Sequence, residues 1–498
     1  MMINRVSKKQ EAEEHDVVIL GSGLGGLIAA ALLSRGNRKV LLLKEKRYQP
    51  FFEREGYRFV PFSNFSEKRL KHSLSQKISE ILKLPSLSGD REGGRKLDRK
   101  FGIPKQEVAF QVILPKGRVD LFSQRSLVRG EWKREFPKET GRIEQFYEEM
   151  EEIRPLLKRA NSERDTWSVF PIRYVPWIQR GFPFKSLPRG RVIEKLSPFS
   201  KEFRKFVQLQ LIAWGNLTSD QFPLYLASYL LLKDEGEEWI DQAELERMEK
   251  KILERFTQSG GEIEEIEGVE KIEGGGWRKF TLSLAGETRI LRARFLVLNS
   301  PLHQLSYLMG RKERKLLRWR EKIQPRYAMV PLFLGIEDKA VPVGMRDLLV
   351  SLLDLEKPYG GGNLLFLHLS LKGDKEWAPE GKRALTVESL VPVEKWNPSS
   401  LDEHLKGVMG HLHQLLPFIE PSIEFMDWSW AREQLLSWSY PHFIYQANRG
   451  FRWGDGVVPA RLSRNLYFVG KEKYPYLGLE GEVLCGRLVG KQLLEKFK

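Results

Sequence analysis

DVVILGSGLGGLIAAALLSRGNRKVLLLKE, residues 16 to 45, is the most informative stretch of the sequence. It opens with a short apolar run rich in β-branched residues, which predicts a strand, and an alanine-rich apolar segment from Leu24 to Arg35 predicts a helix. A second apolar run, Lys39 to Leu43, predicts another strand. The order strand, helix, strand is typical of a βαβ unit with parallel strands.

A glycine pattern lies between the first strand and the helix. Gly21, Gly23 and Gly26 form G-x-G-x-x-G, in which one glycine makes the tight turn, one lets backbone amides approach a pyrophosphate, and one lets helix and strand pack closely. The free amides and the dipole of the helix N-terminus favour phosphates. The sequence therefore predicts a dinucleotide site at this loop, which includes Ser22 and Gly25, against the alternative of a purely structural βαβ unit.

The end of the second strand departs from the usual pattern of such sites. The residue there is normally an acid that accepts hydrogen bonds from the adenosine ribose. Here it is Lys44, with Glu45 next. The chain could shift by one residue to present Glu45, or Lys44 could face a phosphate, and the sequence leaves both readings open. A cation also suits the 2′-phosphate of NADP, which is a further alternative.

Composition limits the class of protein. With 498 residues and 41% hydrophobic residues, the chain can form two or three domains with sizeable cores. Cys485 is its single cysteine, so no intrachain disulfide forms and a reducing compartment, the cytoplasm, is expected. We find no signal peptide and no apolar run near the roughly 20 residues that span a bilayer, so any membrane contact is expected to be peripheral.

The segment 173–205 is the most basic and aromatic part of a chain whose formal net charge is +16. It has nine lysines and arginines against two glutamates, with Trp177, Phe182, Phe184 and Phe199 among them. This mixture suits a lid or a surface that contacts an anionic membrane. The alternative is an ordinary solvated subdomain with buried aromatic residues. We expect no nucleic-acid partner, because no nucleic-acid-binding motif accompanies the charge.

A second signature stands near the end of the chain, RNLYFVGKEKYPYLGLEGEVLCGRLVGKQLLEKF at 464–497. It predicts a strand, a loop rich in proline and glycine, and a helix. Together with the first signature it resembles flavoproteins of the phytoene desaturase, carotenoid isomerase and retinol saturase group, within the amine-oxidase-like superfamily. Those proteins carry N-L-Y-x-V-G-D, then P-G-x-G-x-x-G and a helix with S-G. The matching positions are Asn465, Leu466, Tyr467, Val469, Gly470, Pro475, Gly478, Gly481 and Gly486.

Further stretches agree with the same group over nearly the whole chain: GSGLGGL at 21–27, GYRF at 56–59, GGEIEEIEGVEKI at 260–272, LVLNSPLH at 296–303 and APEGKRALTVESLVPV at 378–393. The resemblance implies an α/β fold with a discontinuous Rossmann-like FAD-binding domain and an inserted mixed α+β substrate domain. The predicted FAD-binding domain comprises 16–70, 240–310 and 456–498, and the predicted substrate domain comprises 71–239 and 311–455. Residues 1–15 are a charged leader.

The resemblance also implies function. It predicts an FAD-dependent oxidoreductase of desaturase, saturase or isomerase type that transfers a hydride between the flavin and a polyene, isoprenoid or other lipid-like substrate. Besides the glycine loop, the residues implied to contact FAD are Lys44, Glu45, Val269, Asn299, Gly470, Lys471, Gly478 and Gly481. No catalytic residue is identified, because the flavin itself carries this kind of chemistry.

Several positions depart from the pattern of the group. Lys44 and Lys471 stand where the group has acids, and Tyr476 stands where it has a glycine. The glycine pair expected after the second strand is absent from 46–59, and the glycine-rich turn before the long helix reads DEGEEWIDQAEL at 234–245. These changes favour an alternative: a non-catalytic homologue with weakened or lost FAD binding, acting as a binding protein or the partner of another chain.

Other candidate residues have simpler interpretations. His411 and His413 alternate on a predicted helix and so point apart, which argues against a metal site, and we predict none. Cys485 is expected to be buried and structural. Glu480 and Glu482 lie in the loop that approaches the flavin in the resembling proteins, so they either orient substrate or lie at the surface.

Overall fold

The computed structural model describes residues 12–36, 38–46, 52–60, 72–84, 108–122, 124–162, 190–218, 222–232, 242–275, 278–299, 308, 323–395, 398–429, 433, 442–447 and 459–497. Its strands are β1 (Ala12–Leu20), β2 (Val40–Glu45), β3 (Phe52–Arg54), β4 (Tyr57–Phe59), β5 (Val108–Leu114), β6 (Gly117–Phe122), β7 (Glu262–Ile266), β8 (Val269–Gly274), β9 (Phe280–Leu284), β10 (Ile290–Leu298), β11 (Ile323–Glu337), β12 (Leu348–Leu352), β13 (Leu364–Leu369), β14 (Lys382–Pro392), β15 (Ile423–Asp427), β16 (His442–Ala447) and β17 (Leu466–Phe468).

The α-helices in these ranges are α1 (Leu24–Leu33), α2 (His72–Leu82), α3 (Arg125–Glu135), α4 (Thr140–Ser162), α5 (Val192–Leu196), α6 (Lys201–Gly215), α7 (Leu224–Leu231), α8 (Gln242–Gln258), α9 (Pro398–Leu415) and α10 (Leu479–Lys496). Residues 1–11 of the predicted charged leader lie outside the described residues, whereas residues 12–15 belong to β1, so the leader bound at 15 is wrong. The part of the basic aromatic segment before residue 190 also lies outside the described residues.

A mostly parallel sheet joins the two ends of the chain. Its strand order is β7-β2-β1-β10-β9-β8, with β17 also paired to β10. β1 runs parallel to both β2 and β10, and β10 runs parallel to β17. The predicted βαβ unit is therefore confirmed. Strands from three separated parts of the sequence form this sheet, as expected for a discontinuous Rossmann-like fold, although the exact domain boundaries stay a prediction.

The alternation of side chains along β1 builds a core on each face of this sheet. Val17 and Ile19 pack in the core that contains residues of α1, α8 and α10. Val18 and Leu20 point to the opposite face and join a larger core that includes residues of α4, α6 and α7. Since both faces are covered, β1 is continuously apolar from Val17 to Leu20, as buried parallel strands usually are.

A second sheet carries the rest of the described β structure, apart from the short β3–β4 hairpin. Its order is β15-β11-β14-β13-β12-β5-β6, with β16 also paired to β11. One of its faces packs against α9 through Val408 and Leu412, and against Leu416 directly after that helix. β5 and β6 form a hairpin around Pro115, β8 and β9 form another, and α8 ends before Gly260. Both an α/β part and a mixed α+β part are thus present.

Within the described residues, none of the helices is long and apolar enough to cross a membrane.

Candidate functional site

The loop between β1 and α1 needs glycine at its first position. Gly21 has φ +103°, in the region that favours glycine. Its amide donates to the carbonyl of Leu43 at 2.9 Å, and the amide of Asn299 donates to the carbonyl of Leu20 at 2.7 Å. A Cβ on Gly21 would lie 2.8 Å from the carbonyl carbon of Asn299. The ends of β1, β2 and β10 therefore meet at this turn.

The start of α1 is equally tight. Gly23 is the N-cap residue, with extended backbone at φ −61° and ψ 163°, and the helix has no acidic residue in its first turn. A Cβ on Gly25 would lie 2.6 Å from Val469 Cγ1, and one on Gly26 would lie 2.8 Å from the carbonyl oxygen of Gly21. These glycines let the end of β17 and the first turn of α1 approach closely.

The C-terminal signature packs directly on this loop. After β17 the chain makes two 3₁₀ turns, Lys471–Lys473 and Pro475–Leu477, and then begins α10. Gly478 has φ +54°, and a Cβ on Gly481 would lie 2.7 Å from the carbonyl oxygen of Tyr474. The backbone of Gly486 lies so close to Gly25 that a Cβ there would come within 2.9 Å of two Gly25 backbone carbons. Helices α1 and α10 thus meet at glycines.

A carboxylate of the protein reaches the N-terminus of α1. The amide of Gly25 donates to Glu482 Oε1 at 3.3 Å, and Asn299 Nδ2 donates to the same oxygen at 3.2 Å. Asn299 Nδ2 also donates to the carbonyl of Val469 at 2.8 Å. A Cβ on Gly23 would lie 2.5 Å from Glu482 Oε1. Glu482, only 9% exposed, therefore places its negative charge where a helix N-terminus favours an anion.

The charge of Glu482 affects the pKa of a second carboxyl group, that of Glu249. Burial and the nearby carboxylates of Glu482 and Glu246 raise the pKa of Glu249, on α8, to about 8. The raised pKa thus indicates that the carboxyl groups of Glu249 and Glu482 lie near each other.

Glu480 and Glu482 are both buried, so the surface placement is wrong for each of them. Glu480 is 5% exposed and accepts a hydrogen bond from the hydroxyl of Tyr229. Sequence reasoning did not identify Glu482 as a partner of the glycine loop. Its place one residue after Gly481, in the first turn of α10, is the only signal that the sequence offers.

The end of β2 is occupied by an ion pair between neighbouring strands. Lys44 lies opposite Glu265 of β7, and its Nζ is 2.8 Å from Glu265 Oε1. Both side chains are substantially exposed. Lys46 makes a similar pair with Glu267 at 2.7 Å. Glu45 follows Lys44 within β2 and pairs with Ile266. The ammonium of Lys44 is thus engaged by an acid of this chain, which weakens the NADP alternative.

The remaining predicted cofactor residues lie in different places. Val269 begins β8, is 9% exposed and pairs with Leu284. Gly470 follows β17, and a Cβ there would lie 2.9 Å from the ring of Phe468. Lys471 begins a 3₁₀ turn, but its side chain lies outside the described part of the structure. The structure brings the glycine loop, Asn299 and the start of α10 together.

Tyr476, which replaces a glycine of the resembling group, is buried in the larger core. It is fully buried, as is Tyr474, and the two rings pack edge to face with centroids 6.2 Å apart. The carbonyl of Pro475 between them accepts a hydrogen bond from Asn216 Nδ2 at 3.2 Å. The segment that contains Tyr476 is therefore hydrogen-bonded to Asn216, at the C-terminal end of α6.

The histidines of α9 have structural roles. His411 is buried, contacts Ser351 Oγ at 2.9 Å through Nε2 and bonds the carbonyl of Gly362 at 2.8 Å through Nδ1. Burial lowers its pKa. His413 is more exposed and its Nε2 lies 4.0 Å from Glu420. The prediction that these two histidines point apart is confirmed. Cys485 is also buried as predicted, with its pKa raised by burial to about 11.

A cavity of about 390 Å³ opens on the second sheet, at the β5–β6 turn. Its walls combine apolar side chains with Glu135, Glu202, Asp354 and Glu356. No predicted cofactor residue lines it, and its acidic walls do not suit a polyene. We therefore do not place the candidate site there.

The described part of the basic aromatic segment has intramolecular partners for several cations. Lys195 pairs with Glu149 at 2.8 Å, Lys201 pairs with Glu356, and Lys205 lies over the ring of Tyr359. Phe199 is 8% exposed. From residue 190 onward the segment thus resembles the predicted alternative, an ordinary subdomain with buried aromatic residues, more than a membrane surface.

Comparison with characterised proteins identifies distant relatives. The prolycopene isomerase of Daucus carota is 23% identical over 423 residues, which cover 79% of this chain and 64% of the carrot protein. The Arabidopsis thaliana protein is 22% identical over 447 residues, covering 83% of this chain and 71% of its own length. Prolycopene isomerase 2 of an Oncidium hybrid is 36% identical over 87 residues, only 15% of that protein. All three are named as chloroplastic. No protein-family model matches the chain.

Solved structures share the fold over nearly the whole chain. An oxidoreductase from Methanosarcina mazei superposes with a TM-score of 0.60 at 17% identity, covering 96% of this chain and 100% of its own. A putrescine oxidase redesigned in its cofactor binding gives 0.59 at 12% identity, with 98% and 100% coverage. Cyclohexylamine oxidase from Brevibacterium oxydans gives 0.52 at 15% identity, with 96% and 99% coverage. The chain shares the fold of these oxidoreductases, and the curated relatives are named as enzymes.

Proposed function

We propose that this distant homologue of the prolycopene isomerases is an FAD-dependent oxidoreductase or isomerase that acts on a polyene, isoprenoid or other lipid-like apolar substrate. The observation that carries the proposal is the glycine loop at the carboxyl end of β1, with Gly21 at φ +103° and the N-terminus of α1 directly behind it. Such a loop at the carboxyl end of parallel strands is the usual place for a dinucleotide.

The backbone of this loop fits the diphosphate of FAD. The first turn of α1 offers amide donors, and the helix has no acidic residue of its own in that turn. Asn299 adds a polar group at the end of β10, and its Oδ1 is buried and has no hydrogen-bond partner within the described residues. A ribose hydroxyl is the kind of donor that such an oxygen needs. One side chain, Glu482, opposes the fit.

A bound flavin would accept or deliver a hydride at its isoalloxazine ring, so the protein needs no nucleophile of its own for the redox step. The residues of this chain would bind, orient and exclude water. Gly21, Gly23, Gly25 and Gly26 would hold the diphosphate through backbone amides, and Asn299, Gly478 and Gly481 would hold the rest of the cofactor near the start of α10. Fully buried Tyr474 and Tyr476 exclude water from the core beneath that turn.

The substrate class rests on the relatives. The curated relatives are named prolycopene isomerases, and a carotenoid is a long apolar polyene. The direction of electron flow follows from the substrate and is left open by this proposal.

Reconstitution with FAD tests the proposal. The purified chain incubated with excess FAD and desalted should retain flavin and show a bound-flavin absorption spectrum, and denaturation should release FAD. The reconstituted protein should then change the spectrum of a carotenoid in detergent micelles, whereas protein without FAD should not. Retention of FAD without any action on polyenes would overturn the substrate class and leave the cofactor assignment.

A non-catalytic partner subunit is the second candidate function. The observation that favours it is the carboxylate of Glu482 on the amide of Gly25, at the position where FAD needs a free donor. The ion pair of Lys44 with Glu265 adds to it, because no acid is offered to the ribose at that position. This candidate predicts no thermal shift with FAD and stable association of the chain with another protein. Co-purification with a partner together with no FAD retention would select it.

Peripheral contact with an anionic membrane through 173–205, and a cytoplasmic location, remain predictions. Liposome co-sedimentation tests the first. Binding should require anionic lipid and weaken with salt, since exposed charges are screened over about 8 Å at physiological ionic strength. Binding to neutral liposomes that salt does not weaken would contradict it.

A further inference from the structure

We propose that Glu482 is a built-in anion that competes with the diphosphate of FAD for the N-terminus of α1, and that it thereby sets the FAD affinity of this chain. This inference rests on the proposed function and adds a residue that controls it. Neither the glycine pattern nor the relatives assign any role to Glu482.

The geometry of the contact makes Glu482 a substitute for a phosphate. Its Oε1 accepts from the amide of Gly25 at 3.3 Å and from Asn299 Nδ2 at 3.2 Å. Oε1 also fills the space in front of Gly23, where an added Cβ would come within 2.5 Å of it. A carboxylate oxygen therefore stands in the cradle that the glycines create. A diphosphate cannot accept from the same amide until this oxygen moves.

The buried surroundings of Glu482 strengthen its competition with the diphosphate of FAD. Glu482 is 91% buried, and charges in such surroundings interact more strongly than in water. Glu249 lies close enough for the charge of Glu482 to raise its pKa. A bound diphosphate would add negative charge beside the carboxylate of Glu482. Lys473 is also buried, and the charges of Lys473 and Glu482 both influence the pKa of Cys485.

Glu482 could instead act only as a structural link between α1 and α10. The two roles predict opposite effects of its removal on FAD binding. A link whose loss loosens the loop would weaken FAD binding, whereas removal of a competitor would strengthen it. The variant E482Q separates charge from hydrogen bonding, because its amide oxygen can still accept from the amide of Gly25 but carries no charge.

FAD titration of the wild type, E482A and E482Q tests the proposal, with flavin fluorescence as the readout. We expect the Kd to fall at least tenfold in E482A and by a smaller factor in E482Q. The matched control is E480Q, because Glu480 is an equally buried carboxylate of the same helical turn whose partner is Tyr229. Its Kd should stay within about twofold of the wild type. Titration with ADP should reproduce the order of the variants, since ADP carries the diphosphate without the flavin.

The outcomes are distinguishable. If the wild type and E482A bind FAD equally tightly, the role of Glu482 is overturned and the proposed function stands. If E482A binds FAD more weakly, Glu482 is a structural link. If no variant binds FAD, both this inference and the FAD-dependent function fail. Circular dichroism of each variant shows whether it is folded. If E482A is not folded, the comparison of E482Q with the wild type still tests the proposal.

We also propose, from an independent observation, a divalent cation site at the amino end of β1. Glu13 and His15 of β1 and Glu262 of β7 bring one ligand atom each to within 4.8 Å of one another. His15 is 5% exposed, and its ring nitrogens make no well-aligned hydrogen bond among the described residues, although Nε2 lies 3.3 Å from Glu13 Oε1. A bound ion is one of the partners that satisfies a buried polar group of this kind.

The donor set suits a transition metal. One imidazole nitrogen and two carboxylate oxygens are typical ligands of Zn²⁺, with water completing the coordination. Glu13 Oε1 already points to His15 Nε2 at 3.3 Å, while Glu13 Oε2 accepts from Arg289 at 3.2 Å. Arg289 therefore holds one carboxylate oxygen and leaves the other for the site. The site is about 20 Å from the glycine loop along β1, since strands rise roughly 3.3 Å per residue.

Isothermal titration of untagged protein with Zn²⁺ tests this site. We expect one Zn²⁺ per chain at pH 7.5, with at least tenfold weaker binding in H15A and in E262Q. The matched control is E14Q, because Glu14 is a neighbouring carboxylate of β1 that pairs with Lys279 instead. It should bind like the wild type. Absence of stoichiometric binding in the wild type, or equal binding in H15A and E262Q, would overturn the proposal.

Discussion

The glycine contact between α1 and α10 gives a sharp prediction for Gly486→Ala. A Cβ at this position would lie within 2.9 Å of the Gly25 carbonyl carbon and Cα, and closer still to the carbonyl oxygen. Ordinary carbon contacts begin near 3.5 Å. The colliding atoms belong to the backbone of a fully buried helix, so no flexible side chain can move aside. The two helices must separate by several tenths of an ångström.

We expect this overpacking to destabilise the protein by about 1–3 kcal/mol. The matched control is Gly410→Ala in α9, because Gly410 is an exposed helical glycine with nothing within 4 Å of its added Cβ. That change should stabilise the protein by up to about 1 kcal/mol through helix propensity. The difference between the variants isolates the steric collision from the effect of alanine itself.

Thermal unfolding followed by circular dichroism measures both variants under identical conditions. We expect the midpoint of G486A to fall below the wild type and that of G410A to stay level or rise. Because the collision displaces the first turn of α1, G486A should also retain less FAD after reconstitution. A G486A variant as stable as G410A would refute the close packing of α1 on α10, and with it the discontinuous cofactor site.

Three further predictions concern charge. E249Q should raise the free energy of unfolding at pH 9 by about 1 kcal/mol or more and change it little at pH 4. The pKa of Glu249 is raised to about 8, so folding favours the protonated form and stability is lost as the pH rises through 8. Equal effects at the two pH values would contradict this prediction. Burial lowers the pKa of His404 to about 4, so its stability contribution, up to about 3 kcal/mol, is complete above pH 6.5 and is lost as the pH falls towards 4. When unfolding is measured at several acidic pH values, the stability of H404Q should therefore fall less steeply than that of the wild type. K44A should change stability by less than about 1 kcal/mol, as exposed ion pairs contribute little, and NADP should shift the melting temperature no more than NAD.

The sequence predicted the first sheet well, because its signals are local. The apolar run before Gly21, the helix from Leu24 and the second run to Leu43 each specify an element, and the short connections leave few ways to arrange them. The hairpin around Pro115 and the helix before Gly260 follow from the same kind of pattern. Element ends differ by only a few residues from those predicted.

The detail of the site could not be predicted, because it depends on contacts between distant parts of the chain. The amide of Gly25 and Glu482 are 457 residues apart in sequence, and Lys44 and Glu265 are 221 apart. Whether a loop acid is buried or exposed depends on the register in which α10 packs on α1. For this reason the sequence left Glu482 between a substrate contact and a surface position, and the structure shows that Glu482 is buried.

Binding of FAD to the wild-type chain is the most direct test of the proposed cofactor site. Flavin fluorescence and visible absorption are followed while FAD is added to the purified protein. We expect saturable binding of one FAD per chain with a bound-flavin spectrum, and tighter binding when Glu482 is replaced. If neither the wild type nor E482A gives a saturable signal with FAD, the glycine loop does not bind this cofactor.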